Sequence, residues 1–253
     1  MLVQQDLTSY SFPSLRHCVG AGEPLNPEVI ETWKKATGIT VRDGYGQTET
    51  VLVCGNFPFL EPRFGSMGKP MPGIEMGIVD NAGKLLPVDI EGDIAIKVTN
   101  KRAPGLFVDY RGDADRYDSC FIGDWYITGD RGYIDKDGYY WFVSRADDVI
   151  LSAGYRIGPF EVESALIEHP SVAESAVVAS PDPTRGAVVK AFVVLAPGFK
   201  GSSQLVNELK EHVKNVTAPY KYPRKIEFVE NLPKTVSGKI RRIELRDREA
   251  ASS

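Results

Sequence analysis

Three short stretches of this 253-residue sequence gather residue types that can hold phosphate and other oxygen ligands. The first, DGYGQTET (residues 43–50), puts two glycines, hydroxyls and carboxylates into one run. Gly, Asp and Thr suit an ordinary turn as well as a ligand-lined loop, so this run alone leaves both open. The second, SRADDVILSAGYRIGPFEVE (residues 144–163), holds Arg145, the adjacent Asp147 and Asp148, a Gly between Ala153 and Tyr155, and Arg156. Neighbouring carboxylates flanked by arginines are poor core material, because unpaired buried charge is costly. This polar stretch reads as a domain junction carrying function, with a plain surface linker as the competing reading. The third, PKTVSGKIRRIELRDRE (residues 233–249), sets Lys234 and Lys239 around Thr235, Ser237 and Gly238. Ammonium groups, hydroxyls and backbone N–H groups together suit an anion such as phosphate; a solvated basic tail is the alternative.

The elements around these stretches change style along the chain. Residues 15–19 alternate and run into Gly20-Ala21-Gly22, as a strand entering a tight loop does. Asn26 caps a helix opened by Pro27, with Val29, Ile30 and Trp33 on one face and Gly38 as its stop. Residues 39–41 form the next strand, and the 43–50 run follows as a loop. Strand, helix, strand and glycine-rich loop is the order of an α/β sheet, where ligands gather at the carboxyl ends of strands. Residues 65–143 read as all-β, a small barrel or sandwich with strands over 74–79 and 93–98 and a hairpin across 135–138. Beyond the junction, a helix over 159–167, strands over 173–179 and 187–195, a helix over 203–216 and a strand near 225–229 make a compact α+β domain. The tail after 233 shows no apolar period.

Bulk properties narrow the function classes. The length accommodates one large or two small domains. A net charge of −4 speaks against nonspecific nucleic-acid binding. No apolar run reaches membrane-spanning length. Cys18, Cys54 and Cys120 lack CxxC spacing and read as reduced thiols. His17, His169 and His212 are scattered, which argues against a structural metal. The first residues resemble neither a signal peptide nor a transit peptide and look like the inside of a domain.

Together the motifs GEPL (22–25), DGYGQTET (43–50), WYITGDRGYIDKDGYYWFVSRADDVI (125–150), SAGYRIGPFEVE (152–163) and LPKTVSGKIRR (232–242) resemble the adenylate-forming enzymes. Within that superfamily, VTAPYKYPRKIEFV (216–229) is similar to the mitochondrial medium-chain acyl-CoA synthetases. The resemblance covers nearly the whole chain in family order. It implies an α/β and α+β fold: residues 1–146 as the C-terminal part of the large adenylating domain (an α/β segment, 1–60, and a β-rich subdomain, 61–146), and residues 147–253 as a small lid domain hinged at Asp147. It implies an acid–thiol ligase joining a fatty acid to AMP and then to CoA, with Mg²⁺ as cofactor, in the mitochondrial matrix.

The family pattern also assigns residues. Asp43, Gly44, Tyr45, Gly46, Gln47 and Thr48 would line adenine and the α-phosphate, with Tyr45 stacking, Thr48 donating its hydroxyl and Glu49 holding magnesium. Asp130 would hold the ribose hydroxyls beside Arg145, and Arg156 and Thr48 would face the substrate side. Lys239 would bridge the carboxylate and the α-phosphate, countering charge as they meet. Ala153, Gly154, Tyr155, Arg185, Lys214, Tyr222, Pro223 and Arg224 would take CoA. The family's glycine-rich phosphate loop is absent from these residues, so the expectation is a C-terminal portion or isoform that is inactive alone, with sheet edges exposed near Leu15 and Ile39. The competing class is a non-catalytic CoA- or nucleotide-binding module; a relative acting on amino acids or luciferin is a third. Ser144, where the family usually shows Gly, and Leu151 depart from the pattern at the hinge.

Overall fold

The computed structural model describes residues 6–98, 103–236 and 238–251. The chain forms two compact units, Met1–Phe142 and Val143–Ser253.

In the first unit, β1 (Cys18–Ala21) and β2 (Val41–Gln47) lie parallel, joined through α1 (Pro27–Thr37). The helix starts and stops where its sequence signals stand: Asn26 Oδ1 accepts from Glu28 N–H, and Gly38, at φ 75°, donates back to Lys34 O. β2 runs on to Gln47, through the stretch expected to be a loop. Pairing causes this. Gly20 and Ala21 pair with Asp43 and Gly44 on one side, and β3 (Val51–Gly55) runs antiparallel on the other. The approach to β3 is close enough that a Cβ on Gly46 would stand 1.8 Å from Val51 O. β1 ends the strand path, but the strand after Ile39 has neighbours on both sides, contrary to the exposed edge expected there.

The rest of this unit is β4 (Ser66–Pro70), β5 (Met76–Val79), β6 (Gly92–Lys97), α2 (Ala114–Ser119), β7 (Phe121–Ile122), β8 (Trp125–Ile134) and β9 (Tyr140–Arg145), whose last residues enter the second unit. The strand path is β1-β2-β3-β4-β9-β8-β6-β5, with β7 on β8. Val53, Met67, Ile78, Ile94, Ile96, Tyr126 and Tyr140 form its core. Each such burial contributes about 1.5–3 kcal/mol, and the long β8 lies inside the sheet between β9 and β6.

The second unit opens with a short hairpin, β10 (Ile150–Ser152) and β11 (Tyr155–Ile157), where the sequence suggested only a polar connector. Ile150 and Ile157 are fully buried and pair across it, while Leu151 and Tyr155 face outward. Then come α3 (Pro159–Ile167), β12 (Val172–Asp182), β13 (Gly186–Leu195), α4 (Ser203–Val216), β14 (Lys225–Phe228) and α5 (Arg242–Ala251). β12 and β13 are antiparallel, and β14 joins β13 in parallel. Alternation along β12 sends Val177 into a core with Val162, Leu166, Leu209 and Val213, and Ala176 and Val178 into a second with Phe192, Leu232 and Leu245. Helix α5 lies in what the sequence showed as an aperiodic basic tail. No helix of the described residues is long and apolar enough to cross a membrane.

Candidate functional site

The first unit gathers its chemistry around one carboxylate. Asp130, on β8, is buried, and its Oδ2 accepts from both Tyr45 Oη and Gln47 Nε2 at 2.6 Å each. These donors stand 85 and 83 residues away in sequence, on β2. Gln47 Nε2 also donates to Thr128 O, and Asp130 N–H donates to Thr128 Oγ1. Burial, then the charge of Asp130, pushes the Tyr45 hydroxyl well above its usual range, so it stays protonated as a donor. The ring of Tyr45 packs against the β-sheet core.

Asp43, on the same strand, is also buried. Its Oδ2 accepts from Leu25 N–H of the GEPL stretch at 3.3 Å, and its Oδ1 from Gly44 N–H at 2.9 Å. Burial outweighs these two bonds and raises its pKa from 3.8 to about 6. Gly44 and Gly46 have a structural cause: side chains there would meet Leu52 or Cys54 O and Val51 O of β3. Past the strand end, Thr48 is exposed. Glu49 is held twice by the segment before α2: its carbonyl accepts from Phe107 N–H at 2.7 Å, and its Oε1 from Tyr110 Oη at 2.9 Å. Burial and then Glu49 raise the Tyr110 hydroxyl to about 12, keeping it a donor. One braced carboxylate fits Mg²⁺, which takes one or two protein carboxylates and draws its other ligands from phosphates and water. Among the described residues no group of three or more His, Cys, Asp or Glu stands ready to form an all-protein metal site.

In the second unit, Arg145 Nε lies 3.1 Å from Asp147 Oδ1. Arg246 of α5 clasps the same corner, donating to Asp147 O at 2.9 Å and to the largely buried Asp148 carboxylate. The β10–β11 turn carries Ala153 (φ 49°) and Gly154 (φ 84°). Ala153 N–H donates to Arg185 O at 3.1 Å, joining two assigned stretches. A third joins through aromatic rings: Tyr155 stacks on Tyr220 at 4.4 Å. Tyr222, two residues on, has the Lys214 ammonium 4.4 Å and the Arg224 guanidinium 5.0 Å from its ring centre. Arg224 also donates to Tyr222 Oη, and Pro223 between them is buried. Arg156, Arg185 and Lys239 are exposed. Lys239 closes a small hairpin in which its N–H donates to Thr235 Oγ1 at 3.0 Å and its carbonyl accepts from Thr235 N–H at 2.8 Å. Ser237 lies outside the described residues.

Three participants escaped the sequence reading: Tyr110, Tyr220 and Arg246. Only Tyr220 left a trace, the aromatic repeat in APYKYP; the other two are single polar residues in ordinary company.

The sequence matches the model of the AMP-binding enzyme family over residues 1–102 and that of the AMP-binding enzyme C-terminal domain over residues 161–239. The chain belongs to the AMP-binding enzyme family. It is 63% identical over 251 residues to rat (Rattus norvegicus) "Acyl-coenzyme A synthetase ACSM3, mitochondrial", covering 98% of this chain and 43% of that protein. Rat "Acyl-coenzyme A synthetase ACSM4, mitochondrial" is 58% identical over the same span. The chain thus spans less than half the length of the curated relatives it matches. Among solved structures it is similar to the anthranilate CoA ligase AuaEII in complex with anthranoyl-AMP, at TM-score 0.90 and 38% identity over 99% of this chain and 48% of that one. A benzoate CoA ligase from Burkholderia xenovorans LB400 matches at TM-score 0.82 and 35% identity, over 97% of this chain and 49% of that one. The mixed α/β and α+β fold is therefore that of the adenylate-forming enzymes.

Proposed function

We propose that this chain supplies part of an AMP-forming ligase that joins a medium-chain fatty acid to CoA through an acyl-adenylate, in mitochondria. The names of its relatives support the CoA thioester product and the compartment. The observation that carries the nucleotide half is the convergence of Tyr45 and Gln47 on Asp130. Two protein donors fix the carboxylate before any ligand arrives, so it can accept from the vicinal ribose hydroxyls without reorganising. Arg145 supplies the second ribose contact. Thr48 donates its hydroxyl to the α-phosphate region. Glu49 would hold Mg²⁺, which when bound neutralises charge on the phosphates of ATP.

In the first half-reaction a carboxylate oxygen of the fatty acid attacks the α-phosphorus and diphosphate leaves. Lys239 places an ammonium where both negative reactants meet. Arg156 orients the substrate side. In the second, the CoA sulfur attacks the acyl carbon and AMP leaves. The CoA half rests on Ala153, Gly154 and Tyr155 lying against the arm, where the small residues Ala153 and Gly154 permit close approach. Arg185, Lys214, Tyr222, Pro223 and Arg224 take the phosphorylated adenosine end through cations and one aromatic ring. Asp147 is the pivot at which residues 147–253 rotate between the two tasks.

These 253 residues contain no glycine-rich phosphate loop. That favours a second reading for the isolated chain, a CoA- or nucleotide-binding module without catalysis. Octanoate-dependent diphosphate release separates the two. We expect none from the 253-residue chain alone, and recovery when it is fused behind the amino-terminal portion of the rat ACSM3 relative. A fusion that folds, binds ATP and still releases no diphosphate refutes the ligase reading.

A further inference from the structure

In the two-residue turn between β10 and β11, Gly154 suits its left-handed backbone but Ala153 does not. Ala153, at φ 49°, is a non-glycine residue in left-handed backbone, and such residues persist only where the surroundings hold them. Two contacts do so. On one side Ala153 N–H donates to Arg185 O, and the Arg185 loop is itself braced by Asp182 Oδ1, which accepts from Thr184 N–H at 3.0 Å and Arg185 N–H at 2.9 Å. On the other side the Tyr155 ring lies on the Tyr220 ring, with centres 4.4 Å apart and planes 20° from parallel. Tyr220 belongs to the short 3-10 turn Pro219–Lys221 between α4 and β14.

This stack is not explained by core packing, because Tyr155 is 53% and Tyr220 41% exposed. A pair of rings left this open buries little of the core, yet it fixes where the turn backbone lies relative to Lys214, Tyr222 and Arg224. We infer that Tyr220 is a positioning residue: by stacking on Tyr155 it holds the Ala153–Gly154 backbone in register with the cation-flanked Tyr222, so that one extended ligand meets both. That the ligand is CoA rests on the function proposed above; that the turn is held by the ring does not.

The 253-residue chain carrying Tyr220→Leu or Tyr220→Phe tests this through amide hydrogen exchange, calorimetric titration with CoA, and thermal unfolding. An aromatic pair of ordinary strength predicts about five-fold faster exchange over residues 152–156 and about five-fold weaker CoA binding in Tyr220→Leu. Thermal unfolding falls only by the few degrees that the lost ring pair itself accounts for, and Tyr220→Phe, which keeps the ring, restores all three values. Unchanged exchange in Tyr220→Leu overturns the inference, as does a Tyr220→Phe chain as impaired as Tyr220→Leu. Faster exchange spread evenly over the second unit, instead of concentrated at residues 152–156, also overturns it, because the ring would then be a general structural support. If the unsubstituted chain takes no CoA, the CoA reading fails while the exchange result still decides the positioning role.

Discussion

Asp43 offers a perturbation whose size can be worked from the structure. Its carboxylate is buried beside β3 and accepts only two backbone N–H groups, so its pKa rises from 3.8 to about 6. A carboxyl raised by folding contributes stability that is fully present below the unfolded value and is lost as pH climbs through the folded one. At about 1.4 kcal/mol per pH unit of displacement, ionising Asp43 costs the first unit about 3 kcal/mol in all, of which about 2.5 falls between pH 4 and pH 7. Asp43→Asn removes that titration. The amide group cannot accept from both Leu25 and Gly44, but this mismatch is the same at every pH. The expected result is therefore a slope: the stability of the variant relative to the parent chain rises by about 2.5 kcal/mol from pH 4 to pH 7.5. Urea unfolding followed by tryptophan fluorescence reads this unit alone, because all three tryptophans, Trp33, Trp125 and Trp141, lie within it. A difference between the two chains that stays constant within about 1 kcal/mol across that range refutes the reasoning.

Two further substitutions probe the second unit. Glu163 is buried, and its oxygens accept from Arg242 Nε at 3.1 Å, Arg242 Nη2 at 2.7 Å and Val177 N–H at 2.8 Å. Burial raises its carboxyl and Arg242 opposes the rise, so Arg242→Met should cost about 3 kcal/mol at pH 7.5 and less at pH 5, where protonation removes the stranded charge. Hydrogen exchange of β12 measures the loss, and adding Glu163→Gln should recover most of it. Ser144 Oγ is buried without a hydrogen-bonding partner among the described residues; Ser144→Ala should raise stability by about 1 kcal/mol in thermal unfolding.

Elements with an amphipathic period and a cap were legible from the sequence. Helix α1 sits between Asn26 and Gly38 because both end signals are local. Helix α5 was not legible, since the face it buries carries Glu249 beside Leu245. Glu249 is there to meet the Lys190 ammonium and the Ser180 hydroxyl, so a charge occupies a place where an apolar residue would have marked the period. The 43–50 run misled for the opposite reason. Its glycines look like loop formers, yet they are needed because β3 lies against a bare strand, a fact fixed by residues elsewhere. The site divides in the same way. Motif residues such as Asp130 and Lys239 could be singled out by family pattern. Tyr110, Tyr220 and Arg246, which brace Glu49, Tyr155 and the Asp147–Asp148 corner, act through distant partners and have no signature of their own.

If one small domain serves two half-reactions with different residues, a single substitution should separate them. Lys239→Ala in the fused chain is the decisive variant, with adenylation followed as diphosphate release and thioester formation followed from supplied octanoyl-AMP and CoA. We expect a loss of about a hundredfold or more in the first, as for removal of a preorganised charge at the reacting phosphate, with the second largely intact. Equal loss in both would contradict the division of labour.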